Sequence, residues 1–188
     1  MANIFEENSH RNFTWEKLGD IRKGRQNLGE EVPVILYRLM EYTINDVLSK
    51  EMGAEKANDI FRKAGYLAGT EFTRNVMDTT LGLDEFVASL QQTLIDLKMG
   101  ILRIEQYDEN TGEFTLTVGE DLDCSGLPLS NEVVCNYDEG LLQGVMETYT
   151  GKDYQVREID CWATGDRVCR FRGNVLEHSK TDSNCGIH

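Results

Sequence analysis

The stretch "GILRIEQYDENTGEFTLTVG", residues 100–119, is where the hydrophobic period of the chain changes. Within it Phe114, Leu116 and Val118 alternate with Glu113, Thr115 and Thr117, and "DENTG" supplies a turn, so the spacing predicts a β-hairpin from strands 100–107 and 113–119. Upstream the apolar residues recur at helical spacing. Leu36, Leu39, Met40, Ile44, Val47 and Leu48 mark an amphipathic helix over 34–49, entered at Pro33. Ala57, Ile60, Phe61, Ala64, Ala68 and Phe72 form the stripe of a second over 54–77. Phe86, Val87, Leu90, Leu94 and Leu97 do the same over 84–98. Downstream, Leu141, Val145 and Tyr149 define a helix over 138–149 with Gly151 placed to cap it, and strands over 153–161 and 167–173 meet at the turn "TGD". Helices followed by an antiparallel sheet that one helix interrupts make an α+β pattern, with N-terminal helices packed on the sheet.

The chain has 188 residues with 40% hydrophobic content, enough for one buried core. We divide it into an N-terminal arm or cap, 1–31, a domain, 32–175, and a polar, flexible tail, 176–188. Its 33 acidic against 19 basic residues give a net charge of -14, which repels phosphate backbones and argues against nucleic acid as a partner class. The acidic start lacks the basic, apolar pattern of a signal peptide, and no run approaches the roughly 18 apolar residues of a membrane helix. We therefore expect a cytoplasmic chain without a membrane partner, in a compartment where thiols stay reduced.

In that setting the five cysteines, at 124, 135, 161, 169 and 185, call for an explanation. Cys161 and Cys169 flank "WATGDRV" on two strands and share parity, so both thiols can face one side of the hairpin. Cys135 precedes a helix, where the N-terminus favours a thiolate, and Cys124 opens the loop "CSGLPLSNEVVC" that Cys135 closes. Four thiolates satisfy tetrahedral zinc without a histidine, but the spacing is wider than that of a CxxC ribbon. Spacing alone leaves a zinc site and four small buried hydrophobes both open, with iron or an iron-sulfur cluster a lesser alternative. A catalytic cysteine needs a nearby base, and the three histidines, His10, His178 and His188, all lie near the termini. Cysteine-hydrolase chemistry is disfavoured, and Cys185 with His188 reads as a stray pair.

Gly65 and Gly69 in "AGYLAGTEF", and Gly140 and Gly144 in "DEGLLQGVME", repeat a spacing of four on helices, where each glycine costs about 1 kcal/mol against alanine. Close packing of backbones is the simpler explanation; room for a ligand is the sharper one, with Tyr66, Gly69, Phe72, Tyr149, Trp162 and Phe171 as candidate walls. The acidic pairs Glu30–Glu31 and Asp121–Asp123 read as solvated surface.

The segment "DCSGLPLSNEVVCNYDEGLLQGVMETYTGKDYQVREIDCWATGDRVCRF" resembles the 4-vinyl reductase domain family, which carries a Cys-Ser-Gly-Leu-Pro loop, a Cys before a Gly-rich helix, and a closing hairpin with Cys, Gly-Asp and Cys. "VPVILYRLMEY" is similar to the first helix of its small stand-alone members. The resemblance implies a ligand-binding α+β fold shared with transport-particle subunits and haem nitric-oxide sensor domains, often a homodimer. It also implies a zinc ion held by Cys135, Cys161 and Cys169, with Cys124 as fourth ligand and Asp123 or Asp121 as substitutes. The function expected is a zinc-stabilised sensor domain for a small hydrophobic or aromatic molecule, signalling through a partner protein. Alternatives are an enzyme or accessory protein of tetrapyrrole (bacteriochlorophyll-type) metabolism, and a protein-interaction module. The chain lacks the ATPase and DNA-binding modules of the family's transcription activators, a central haem-ligating histidine, and a GxGxxG nicotinamide fingerprint, and no residue is assigned a catalytic role.

Overall fold

A computed structural model describes residues 13–176. After a 3-10 turn at Trp15–Leu18 and the short α1, Ile21–Gly24, come α2, Val34–Met52; α3, Ala54–Val76; and α4, Leu83–Asp96. The hairpin β1, Ile101–Tyr107, and β2, Phe114–Gly119, leads through a loop to α5, Asn136–Thr150, and then β3, Tyr154–Asp160, and β4, Cys169–Val175. Each predicted element is found within a few residues of its expected bounds. Of the expected arm, only the described part from residue 13 can be placed: it is largely exposed, with Trp15 packed against the core. The expected tail lies outside the described residues from 177 onward.

The four strands form an antiparallel sheet in the order β1-β2-β4-β3. Alternation sends Leu102, Leu116, Val118, Phe171, Val156 and Tyr154 to one face, where they are buried. Helices α4 and α5 supply the apolar side chains that share this core, among them Phe86, Leu90, Leu94, Leu142 and Val145. Polar residues such as Arg103, Glu105 and Arg172 lie on the opposite face, where Arg170 pairs with Glu105 at 2.9 Å and with Asp160.

The glycine pairs bring α3 against α5 at backbone distance. A Cβ on Gly65 would lie 1.9 Å from the Tyr137 carbonyl oxygen, and one on Gly69 would lie 2.1 Å from that of Leu141. The reciprocal positions are as tight, 1.9 Å from the Arg62 carbonyl oxygen for Gly140 and 2.4 Å from that of Tyr66 for Gly144. The space these glycines vacate is filled by the facing helix, so their cost in helix propensity is offset by close packing and leaves no room for a ligand there.

Helix α2 forms where its spacing predicts but is turned the other way. Tyr37, Arg38, Glu41 and Tyr42 face inward, while Ile35, Leu36, Leu39, Met40, Ile44 and Val47 stand exposed. The inward side is held by hydrogen bonds to the loop after β2: Arg38 donates to the carbonyls of Leu122 at 2.7 Å and Ser125 at 2.9 Å, and Tyr42 to that of Asp123 at 3.1 Å. A polar seam has taken the place expected of the apolar stripe.

Candidate metal centre

Cys124, Cys135, Cys161 and Cys169 converge, with all four sulfurs within 4.8 Å of one another and every residue fully buried. A tetrahedral zinc site with Zn–S bonds of about 2.3 Å has sulfurs about 3.8 Å apart. Cys135 Sγ lies 3.9 Å from that of Cys161 and 3.7 Å from that of Cys169; Cys124 and Cys169 approach to 3.0 Å. None of these contacts is a disulfide bond. Hydrophobic packing does not require four sulfurs to meet at a point, whereas one tetrahedral cation does. An iron-sulfur cluster, with several metal and sulfide atoms inside, needs its cysteines further apart than these.

Each sulfur is placed by local structure. The Asp121 carboxylate accepts from the backbone N–H of Asp123 at 2.8 Å and of Cys124 at 3.2 Å, folding the loop so that Cys124 turns inward. Cys135 caps α5, and its N–H donates to the Glu158 carboxylate at 3.0 Å. Cys169 opens β4 on the buried side of the sheet. Cys161 lies beyond the end of β3 rather than on it. The β3–β4 register shifts between Glu158 and Asp160, leaving Ile159 unpaired, and Cys161 then caps a one-turn 3-10 helix, Trp162–Thr164. Trp162 closes the cover by donating its indole N–H to the Leu127 carbonyl at 3.2 Å.

The electrostatics are those of a crowded anionic site. Contacts with the other three sulfurs hold the Cys161 thiol far below the usual thiol range and push those of Cys135 and Cys169 up. Burial, then the charge of Cys161, raises Glu158 to about 8. Asp121 and Asp123, expected at the surface, are only 2% exposed. Burial first and Asp121 second raise Asp123 to about 7, burial and Asp123 raise Glu41 to about 8, and burial lifts Asp138 well above the carboxylate range. The sequence signal for these acids misleads because α2 supplies the cover: Tyr37 donates to Asp123 Oδ1 at 2.9 Å.

A second feature lies on the same sheet face. An apolar cavity of about 330 Å³ opens between α4, α5 and strands β1 and β2, walled by Phe86, Leu90, Leu102, Leu116, Leu142 and Val145. Gln91 and Tyr107 are among its few polar neighbours. The residues named from sequence as candidate walls are placed elsewhere. Tyr66 is partly exposed on α3, Gly69 meets the Leu141 backbone, Phe72 and Phe171 fill the core, and Trp162 covers the cysteines. Tyr149 comes nearest in effect, stacking on the wall residue Phe86 with centroids 3.8 Å apart. Nothing in the period of α4 or β1 distinguishes a cavity wall from a filled core, so the sequence holds no signal for this space.

Comparison with known proteins agrees with this geometry. An uncharacterized protein of Methanocaldococcus jannaschii is 28% identical over 160 residues, 85% of this chain and 88% of that protein. Among solved structures, the sensory domain of the phenol-responsive transcription activator PoxR with phenol matches at a TM-score of 0.58 and 18% identity, over 86% of this chain and 93% of that one. A vinyl-4-reductase family protein of M. jannaschii matches at 0.55 and 16%, over 89% and 100%. A trafficking protein particle complex subunit 3 of Naegleria fowleri, covalently bound to palmitic acid, matches at 0.55 and 13%, over 78% and 98%. At these identities the likeness is one of fold, and it covers the α+β architecture from helices to sheet. The family model of the 4-vinyl reductase domain matches residues 114–175, the segment that contains all four clustered cysteines, and the chain carries a domain of that family.

Proposed function

We propose that this chain is a sensor domain that binds a small hydrophobic or aromatic molecule in the cavity between α4, α5 and the sheet, with a zinc ion on Cys124, Cys135, Cys161 and Cys169 fixing the frame. The observation that carries the reading is the course of α5. Its N-cap is Cys135, and two turns later Leu142 and Val145 wall the cavity, so a change at either end is felt by one rigid element. A cavity of about 150 Å³ admits benzene. The space here, at about 330 Å³, suits one substituted ring or a short chain and is tight for a tetrapyrrole. That two neighbours of this fold hold phenol and a palmitoyl group supports an apolar occupant. The four described cysteines are all drawn into the cluster and none lines the cavity, so the ligand is held without a bond to any of them.

Four reduced thiols accord with a cytoplasmic location. A homodimer is proposed on the outward face of α2, where Ile35 is 69% and Leu39 60% exposed beside Leu36, Met40, Ile44 and Val47. A contiguous apolar helix face of this kind on so acidic a chain suits a second copy of itself. Output then passes to a partner protein that reads the pair.

The test is thermal unfolding of the metal-loaded protein with phenol and alkylphenols. The melting temperature should rise with concentration, by the linkage that a ligand of the native state imposes. Val145→Phe, which fills the cavity, should abolish the rise while the metal content stays unchanged. No shift at saturating concentrations of the whole series would sink the reading.

A further inference from the structure

Beside the four sulfurs lies a second, smaller space. It has a volume of about 30 Å³, and Tyr37, Asp121, Asp123, Tyr137 and Asp138 are among its walls. That is room for a single atom-sized guest. Asp123 is only 2% exposed; its Oδ1 accepts from Tyr37, but its Oδ2 has no hydrogen-bond partner. Glu41 Oε2, behind it on α2, is also buried and unpartnered. A buried carboxylate oxygen left bare costs several kcal/mol unless something positive meets it.

Arg38 is the cation at hand, yet its guanidinium is spent on the main-chain carbonyls of Asp121, Leu122 and Ser125. One divalent ion on the thiolates together with this arginine leaves most of the negative charge of four cysteines and four acids unbalanced. The ligand atoms of Asp121, Cys135 and Asp138 lie within 4.8 Å of one another, a three-donor set that shares Cys135 with the four-sulfur set.

We infer that the protein holds a second divalent transition-metal ion in this space, ligated by Asp121 and Asp138, with Asp123 Oδ2 as a further oxygen and Cys135 Sγ bridging it to the ion on the four cysteines. Two carboxylate oxygens and a thiolate form a mixed set suited to Zn²⁺, Co²⁺ or Mn²⁺ rather than to Ca²⁺, which takes oxygen alone. The bridge places the shared ligand at the N-cap of α5, so the second ion joins α2, the loop after β2 and α5 at one point. The inference rests on the four-thiolate ion of the proposed function, and its test separates the two.

The experiment is Co²⁺ titration of the full metal-free chain under reducing conditions, followed by absorbance and electron paramagnetic resonance, with zinc stoichiometry by elemental analysis in parallel. The first equivalent should give the intense sulfur-to-cobalt bands of a thiolate site. The second should bind without adding to them and should weaken the resonance signal of the first, as a thiolate bridge couples the two spins. Asp138→Asn should lower the stoichiometry from two ions to one while those bands persist. Saturation of the wild-type protein at one ion per chain would overturn the inference and leave the four-thiolate site standing. A second ion that binds equally well to Asp138→Asn would also overturn it, and absence of even the first would overturn both.

Discussion

Glu139 fastens three elements with one side chain. Its carboxylate, 5% exposed, takes Arg62 of α3 at 2.6 Å, Arg157 of β3 at 3.3 Å, and the N–H of Glu158 at 2.8 Å. Removing it strands a buried donor and two cations, so Glu139→Ala should cost about 3 kcal/mol in urea unfolding. Arg157→Ala, which removes a half-exposed partner, should cost less than about 1 kcal/mol. At the sulfur cluster the expected loss is larger. Cys169→Ser should release the ion and lower stability by about 4 kcal/mol or more, read together by elemental analysis and thermal unfolding. The cysteines are legible from residue type and from the family motif around them; their intervals in the chain do not show that the sulfurs meet. Asp121 and Asp123 are not legible, because an acidic pair in a Gly- and Pro-containing loop looks alike whether water or a helix covers it. Glu139 gives no signal either, since an acid in the first turn of a helix is ordinary.

The elements follow their periods closely, and the departures have causes outside the element concerned. Strand β3 is expected to carry Cys161 in step with its alternation. The irregularity at Ile159 breaks that parity, and such a bulge is set by pairing with β4, which a single strand does not encode. The interlocked glycines of α3 and α5 are legible as spacing, and their purpose follows from the contact. Alanine in place of Gly140 would gain about 1 kcal/mol in helix propensity. It would also force the new methyl into the Arg62 carbonyl, and overpacking against a backbone that cannot yield costs about 3 kcal/mol or more. Gly140→Ala should therefore destabilise strongly in urea titrations. Gly24→Ala, where nothing lies within 4 Å of the added carbon, should change stability by less than about 0.5 kcal/mol.

For the molecule as a whole, one sheet face carries both a point of fixation and a point of entry. The sulfur cluster ties the loop after β2, the cap of α5, the end of β3 and the start of β4, while the cavity opens further along α5 against α4, β1 and β2. No helix among the described residues is long and apolar enough to cross a membrane. The apolar surface of α2 is thus left for a partner, and sedimentation should show a dimer that Leu39→Glu with Met40→Glu converts to monomer at unchanged metal content. The sensor reading stands or falls on the cavity. The most direct measurement is a crystal of the metal-loaded protein soaked with 4-bromophenol, in which anomalous scattering locates the bromine. The account requires a bromine peak enclosed by Phe86, Leu102 and Val145; a well-ordered cavity that stays empty, or bromine found only on the outer surface, would contradict it.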